Sequence, residues 1–255
     1  VKHKKTFDYI FNKTEAITLE QSKLTLSKDI TVLSFSDSSM VDRNSSIIKV
    51  DSGWIVYSKN SESSILSFTS DGQFSGYIGH RGNGPGEYTS VYDVVVNQKS
   101  KVLEVLSDGG IFCYTFGGDF LDKKEVTYPA FSFAIDDRQN YWFYVGNNTT
   151  YGDAKMICTD ENIANVAYYL HQKSNMLPMV ENNFGRNGEW LTFHESLNHD
   201  LYTIENGKLD LSYAMDFPNY KLPKKLHELS GMEVIEELQL SLIHISEPTR
   251  QAEIS

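Results

Sequence analysis

The residues with the clearest capacity for chemistry lie in one glycine-rich segment, residues 79–88, with the sequence GHRGNGPGEY. Its four glycines allow the backbone to approach a ligand closely, and His80, Arg81, Asn83 and Glu87 supply polar groups beside them. Phosphate binding is one function of such loops. However, the segment lacks the Lys-Ser or Lys-Thr ending of a P-loop, and a strand rather than a helix is predicted to follow it. We therefore favour a connector between structural units, and we retain the four polar residues as a candidate binding set.

Metal-binding and nucleophilic centres have no matching pattern in the sequence. Cys113 and Cys158 have no second Cys or His at ligand spacing, which argues against a thiolate metal site and against a disulfide framework. The Gly-x-Ser-x-Gly elbow of serine hydrolases is absent. His80 has no histidine counterpart in the repeats described below, where the equivalent positions are Val126, Tyr169 and Met215. We therefore predict no catalytic residue, no metal and no cofactor.

Composition and charge limit the possible partners. The 255 residues are 40% hydrophobic and 13% aromatic, and the formal net charge is -11. Nucleic acid is excluded as a partner, because binding it requires lysines and arginines that neutralise phosphates. No apolar run approaches the roughly 20 residues that span a bilayer. The high aromatic content favours strands, so the composition predicts a globular, mostly β protein.

A tight turn recurs along the chain at a period of about 45 residues, which is typical of repeat architectures. Pairs such as Asp71-Gly72 and Asn206-Gly207 tolerate the positive φ angles that hairpin turns need. These turns lie at 70–73, 116–119, 160–162 and 205–208. A second series precedes them by about 20 residues, as expected for units of four strands. Its turns lie at 51–53, 97–100, 136–140 and 186–188.

This pattern predicts an all-β fold, a β-propeller of four-stranded antiparallel blades. The blades are placed at residues 46–79, 91–126, 130–170 and 183–217, within a partial propeller that spans 46–239. Trp54, Trp142 and Trp190 follow turns at matching positions of their blades, so we expect all three to pack in the core rather than to form a platform that stacks on carbohydrate. The spacing of apolar residues also predicts a short helix over 224–239.

The two ends of the chain are expected to lie outside these blades. Residues 1–45 contain an alternating stretch, 24–35, that predicts an outer strand of the kind that closes a propeller ring. Residues 240–250, LSLIHISEPTR, match the translation of a transposase-type sequencing adaptor in one reading frame, and 251–255 resemble its continuation. We interpret 240–255 as a non-native tail that should be excluded from the fold.

Three segments resemble a family of bacterial six-bladed β-propellers. They are residues 65–88, ILSFTSDGQFSGYIGHRGNGPGEY, the upstream LTLSKDITVLSF and the later LYTIENGKLDLSYAMDFPNYKLP. The family is NHL-like, and its members are often cell-envelope lipoproteins of unknown function. The resemblance implies an incomplete ring, with about four of six blades present. It also implies a periplasmic or outer-membrane location, although the lipoprotein signal is absent from this sequence, so attachment to a membrane would need an anchor outside it.

Two functions from different classes fit this sequence. A repeat architecture without a repeated catalytic set favours a non-enzymatic binding or scaffold protein, whose partner would be a protein, a peptide or a glycan. The alternative is a propeller lyase or hydrolase with its site at the central channel, partly in the missing blades. Propellers host both kinds of function, so the fold alone does not choose between them.

Overall fold

The computed structural model describes residues 30–34, 41, 44–59, 64–146, 152–164, 166–171, 182–188, 190–195, 198, 200–214, 229, 233 and 236. These residues form four antiparallel sheets of four strands each, together with one two-stranded sheet. The predicted all-β propeller of four-stranded antiparallel blades is confirmed. The predicted tail 240–255 lies outside the described residues, as does the predicted helix except for positions 229, 233 and 236.

Blades 1 and 2 are separated by the small sheet. The strands of blade 1 are β1 Ser46–Val50, β2 Gly53–Tyr57, β3 Ile65–Thr69 and β4 Phe74–Ile78. The small sheet pairs β5 His80–Arg81 with β6 Glu87–Tyr88 in parallel. The strands of blade 2 are β7 Asp93–Asn97, β8 Val102–Ser107, β9 Gly110–Tyr114 and β10 Phe120–Lys124.

Blades 3 and 4 repeat the same arrangement. The strands of blade 3 are β11 Ser132–Ile135, β12 Tyr141–Tyr144, β13 Ala154–Thr159 and β14 Ala167–His171. Those of blade 4 are β15 Phe184–Asn187, β16 Trp190–His194, β17 Asp200–Glu205 and β18 Lys208–Ala214. In every blade each strand pairs with the next one along the chain.

The turns follow from local backbone chemistry. Asn206 and Gly207 join β17 to β18 with φ angles of 56° and 71°, the positive pair that a two-residue hairpin requires. Gly72, with φ of 88°, joins β3 to β4. A side chain at Gly72 is also excluded by space, because its Cβ would lie 2.1 Å from the Val32 carbonyl oxygen.

Consecutive antiparallel strands place the connections at two opposite ends of each blade. The hairpins between the first and second strands, and between the third and fourth, lie at one end. The links between blades, such as 79–92 and 125–131, lie at the other end, which we call the connector end. The start of the first strand and the end of the second strand therefore both lie at the connector end of a blade.

The cores lie between neighbouring blades. In β12, Tyr141 and Phe143 pack in the cluster shared with blade 2, whereas Trp142 and Tyr144 pack in the cluster shared with blade 4. This alternation explains why β12 is apolar throughout, as expected for a strand covered on both faces. Burying each such aromatic side chain contributes roughly 1.5–3 kcal/mol.

The prediction that all three tryptophans pack in the core is wrong for Trp190. Trp142 is fully buried and Trp54 is half-buried, but Trp190 is 68% exposed. Trp190 alternates with Leu191 and Phe193, which pack against blade 3, so it belongs to the opposite face of blade 4. Among the described residues, no further blade covers that face.

The N-terminal segment contacts the outer part of blade 1. Ser34 forms a parallel bridge with Gln73, and its amide donates a 2.8 Å hydrogen bond to the Gly72 carbonyl. Leu33 packs against the cluster of Val56, Leu66 and Phe68. Residues 24–29 and 35 of the predicted ring-closing strand lie outside the described residues, so that assignment stays a prediction.

Candidate functional site

The first strands of the four blades surround a cavity of about 340 Å³. β1, β7, β11 and β15 all contribute lining residues, and Lys59, Asn182 and Asn183 are added from neighbouring segments. The cavity therefore lies where the blades converge. Its volume is at the lower end of the roughly 300–1,000 Å³ range of small-ligand pockets.

Each first strand pairs on one side only, so its other edge has backbone groups without a sheet partner. Side chains of the adjoining blades satisfy two such groups of β11. Asp93 Oδ2 of blade 2 accepts a 3.1 Å hydrogen bond from the Phe133 amide. Arg186 of blade 4 donates from Nη2 to the Ile135 carbonyl. β11 is thus held from both neighbouring blades.

Asp93 joins three blades at the connector end of the cavity. Its Oδ1 lies 2.8 Å from Lys59 Nζ and accepts a 3.0 Å hydrogen bond from the Val94 amide. The Tyr57 hydroxyl donates to the same oxygen at 3.5 Å. Burial raises the pKa of Asp93, whereas Lys59 and the amide donors lower it. Because both carboxylate oxygens are engaged, Asp93 is better suited to joining blades than to abstracting a proton.

The junction between blades 2 and 3 contains a similar set of groups. Glu104 is 1% exposed, and its Oε2 accepts a 2.8 Å hydrogen bond from the Tyr141 hydroxyl. Asn97 donates to Oε1 at 3.0 Å, and Lys124 Nζ lies 4.0 Å from the same oxygen. Burial, followed by the Glu104 charge, raises the pKa of Tyr141. The hydroxyl therefore remains protonated and acts as a donor.

The junction between blades 3 and 4 repeats this combination. Glu195 accepts a 2.8 Å hydrogen bond from the Tyr144 hydroxyl, and Lys155 Nζ lies 2.9 Å from each of its carboxylate oxygens. Nearer the cavity, the Ser132 hydroxyl donates a 2.8 Å hydrogen bond to Asn183 Oδ1. Every junction between the four blades therefore contains a tyrosine, a carboxylate and a lysine.

Sequence reasoning missed these junction sets and also missed Arg186. One local signal was present, because Glu104 is a charged residue inside the apolar strand VLEVLS. A buried charge is stable only when it is paired, so its position alone indicated a partner from another element. The identity of that partner, Tyr141, depends on how the blades stack.

The described residues contain no group of three His, Cys, Asp or Glu side chains placed to hold a metal ion. Cys113 and Cys158 are buried free thiols. Burial raises the pKa of each thiol to about 12, so neither is a ready nucleophile at neutral pH. The predicted absence of metal, cofactor and catalytic residues remains a prediction.

The glycine-rich loop forms the link between blades 1 and 2, at the same end as Lys59 and Asp93. Glu87 Oε2 accepts a 2.8 Å hydrogen bond from the Gly84 amide, and Arg81 Nε donates to the Thr89 carbonyl at 2.8 Å. These bonds hold the loop's own backbone, as expected for a connector.

Two glycines of this loop also meet blade 2 directly. A Cβ at Gly79 would lie 2.5 Å from the Tyr114 ring, and one at Gly86 would lie 2.5 Å from the Phe120 ring. Both residues have positive φ angles, 61° and 74°. Close packing against blade 2 and positive φ angles therefore explain why both residues are glycine. A ligand contact is not needed to explain them.

The candidate binding set does not form part of the cavity. His80 and Arg81 are exposed, and neither they nor Asn83 nor Glu87 is among the lining residues. All four residues lie between positions 80 and 87 of the loop. A binding role for these residues stays a prediction.

The chain belongs to a family of domains of unknown function, DUF4934, whose family model matches residues 6–248. This match includes part of the segment interpreted as an adaptor, so the foreign origin of 240–255 stays a prediction. No curated protein matches the chain.

Several solved structures resemble this fold. A predicted exported protein, BF0058 of Bacteroides fragilis NCTC 9343, is 15% identical with a TM-score of 0.66, over 76% of this chain and 56% of that one. A DUF4221 member from Bacteroides vulgatus is 9% identical with a TM-score of 0.49, over 74% of this chain and 63% of that one. The chain therefore spans less than two thirds of the length of either protein. At these identities, the match to BF0058 supports the fold alone.

Within the described part of the chain, no helix combines the length and the apolar character needed to cross a bilayer.

Proposed function

We propose that this chain is a non-enzymatic binding protein of the bacterial cell envelope, and that the cavity between its blades receives a short segment of a peptide or glycan. A scaffold role, in which the cavity stays empty, is the nearest alternative. We further propose that the four blades belong to a six-bladed ring. The resemblance to six-bladed envelope propellers supports both statements, and the coverage of only 56% of BF0058 adds support to the larger ring alone.

The convergence of four first strands on one cavity is the observation on which this proposal rests. The ionisable groups there already have partners within the fold. Asp93 has contacts to Lys59 and to two backbone amides, so it is not placed as a free general base. A concave site with fixed polar groups at its rim is suited to holding a ligand.

The cell-envelope location rests on related proteins. BF0058, the solved structure with a TM-score of 0.66, is described by its name as exported. Members of the resembling propeller family are often lipoproteins. By the same resemblance, we propose that the native protein is attached to the membrane through a lipid anchor. Fractionation of the native host would test this attachment.

A ligand panel with an occluding variant tests the binding role. Asn182 is exposed and lines the cavity, so Asn182→Trp should fill part of it. Thermal unfolding of the full chain would be followed with short peptides and with oligosaccharides. We expect at least one compound to raise the Tm of the original chain and not that of Asn182→Trp, since a ligand that binds only the folded state stabilises it.

Gln98→Trp is the matched control, because Gln98 is exposed in the turn between β7 and β8 and does not line the cavity. This variant should keep the full Tm increase. An equal increase in Asn182→Trp, or no increase with any compound, would reject the cavity as a binding site. Release of a cleavage product from any compound would support the lyase or hydrolase alternative instead.

A further inference from the structure

We propose that Arg186 makes the cavity selective for ligands with a carboxylate group. This inference rests on the proposed binding function, and it names the chemistry of the ligand that the same site would take. Arg186 lies on β15 and lines the cavity, where its guanidinium is partly buried, and it is not part of the glycine-rich loop.

The guanidinium of Arg186 is fixed in position by the fold. Its Nη2 donates to the Ile135 carbonyl on the cavity edge of β11. A guanidinium has five N–H donors, so one hydrogen bond to a carbonyl leaves further donors in a planar fork. Such a fork matches the two oxygens of a carboxylate, and holding it in advance reduces the entropy lost when a ligand binds.

The charged side chains that line the cavity are two cations, Lys59 and Arg186, and one anion, Asp93. Asp93 is matched by Lys59 at 2.8 Å, and Arg186 adds a second positive charge. The lining side chains are therefore net positive in a chain whose formal charge is -11. An anion is repelled by most of the protein but attracted to this position.

Two acidic residues near Arg186 could compete with a ligand. Asp136 is buried, and it accepts hydrogen bonds from the Trp142 indole and the Asn140 amide group. Asp136 and Asp137 raise the pKa of Arg186, but burial lowers it by more. An arginine with a lowered pKa still carries its charge near neutral pH, so the guanidinium remains able to pair with an anionic ligand.

Matched pairs of acid and neutral compounds test this selectivity. Calorimetry on the full chain would compare the dipeptide Ala-Phe with its C-terminal amide, and glucuronic acid with glucose. The two arms separate a peptide source of the carboxylate from a sugar source. We expect one acid to bind about tenfold or more tightly than its neutral partner, since charge-assisted hydrogen bonds discriminate by roughly this amount.

Arg186→Gln should remove this preference, and Arg186→Lys should retain part of it because the charge remains. Arg138→Gln is the matched control, since Arg138 is exposed in the turn of blade 3 and bonds Asn206 outside the cavity. If Arg186→Gln does not fold, the acid and amide pairs measured on the original chain and on Arg186→Lys still decide.

The two proposals fail in different ways. Equal affinity for acid and neutral compounds in the original chain, with binding still lost in Asn182→Trp, would overturn the role of Arg186 and preserve the cavity. Binding that Asn182→Trp does not affect would overturn the cavity itself. An acid preference that survives in Arg186→Gln would also contradict the inference.

Discussion

The Tyr144 hydroxyl of blade 3 donates a 2.8 Å hydrogen bond to Glu195 of blade 4, 51 residues further along the chain. Lys155 of blade 3 lies 2.9 Å from the same carboxylate. Tyr57 and Lys59 of blade 1 contact Asp93 of blade 2 in the same arrangement. In both cases the tyrosine and lysine come from one blade and the carboxylate comes from the next.

These contacts give two of the three described blade junctions a polar link of the same direction beside the apolar core, whereas Glu104 and Lys124 of blade 2 meet Tyr141 of blade 3 in the reverse direction. A buried carboxylate is tolerated only when it is paired and hydrogen-bonded, so a wrong stacking of blades would leave it unsatisfied. We infer that the links select the correct order of blades as well as stabilising it. Four substitutions test this view of the fold and the connector.

Tyr144→Phe should lower the free energy of unfolding by about 1 kcal/mol, because it removes the partly buried hydrogen bond to Glu195 and keeps the ring. Urea unfolding followed by circular dichroism would measure the change. Tyr168→Phe is the control, because Tyr168 is 50% exposed on β14 and should change stability by less than about 0.5 kcal/mol. Equal effects of the two variants would argue against the link to Glu195.

Lys59→Met should cost about 3–5 kcal/mol near neutral pH, because it leaves Asp93 charged and buried without its cation. Lys101→Met is the control, since its ion pair with Asp51 is exposed at 3.3 Å and should contribute less than about 1 kcal/mol.

The cost of Lys59→Met should also depend on pH. Burial already raises the folded pKa of Asp93 above its ordinary value, and loss of Lys59 raises it further. Between the unfolded and folded pKa values the folded state holds a proton that the unfolded state releases, so stability falls as pH rises through that window. The deficit should therefore shrink as pH falls through that window and be smallest below about 4, near the ordinary pKa of aspartate. A deficit of the same size at all pH values would contradict this assignment.

Gly86→Ala should destabilise the chain by more than Gly152→Ala. Both glycines have positive φ angles, 74° and 81°, so both variants should lose about 1–2 kcal/mol from backbone strain. Only at Gly86 would the new Cβ meet the Phe120 ring, which should add about 1–3 kcal/mol. Thermal unfolding would compare them. Equal losses would show that the loop is not packed against blade 2.

Glu87→Ala should cost about 1–2 kcal/mol through loss of its hydrogen bond to the Gly84 amide, whereas His80→Ala should be near neutral because His80 is exposed. If the loop is only a connector, His80→Ala should leave ligand affinity unchanged in the panel described above. Lost affinity at unchanged stability would instead support the binding role predicted for His80, Arg81, Asn83 and Glu87.

Local chemistry explains why the blades were predictable. A pair such as Asn206-Gly207 readily adopts the positive φ angles that a two-residue hairpin requires, so each turn could be recognised separately. Their period then indicated units of four strands. Trp142 and Trp190 show the limit of this approach, because both follow a turn but face opposite environments. Burial depends on the neighbouring blade, which the local pattern does not contain.

The candidate site was less predictable for the same reason. Tyr57 and Asp93 are 36 residues apart, and Arg186 lies 51 residues from Ile135, the carbonyl it contacts. No spacing rule links such residues, since the contacts depend on how one blade rotates against the next. The glycine-rich loop could be recognised because its polar residues are close together in the sequence. None of the residues that line the cavity belongs to this loop.

The most direct test is a crystal structure of the full chain bound to the compound from the panel that raises the Tm most. We expect β1, β7, β11 and β15 to surround one cavity, with the ligand inside it and its carboxylate beside Arg186. A ligand bound at the loop of residues 79–88, or first strands that do not share a cavity, would contradict the proposed site.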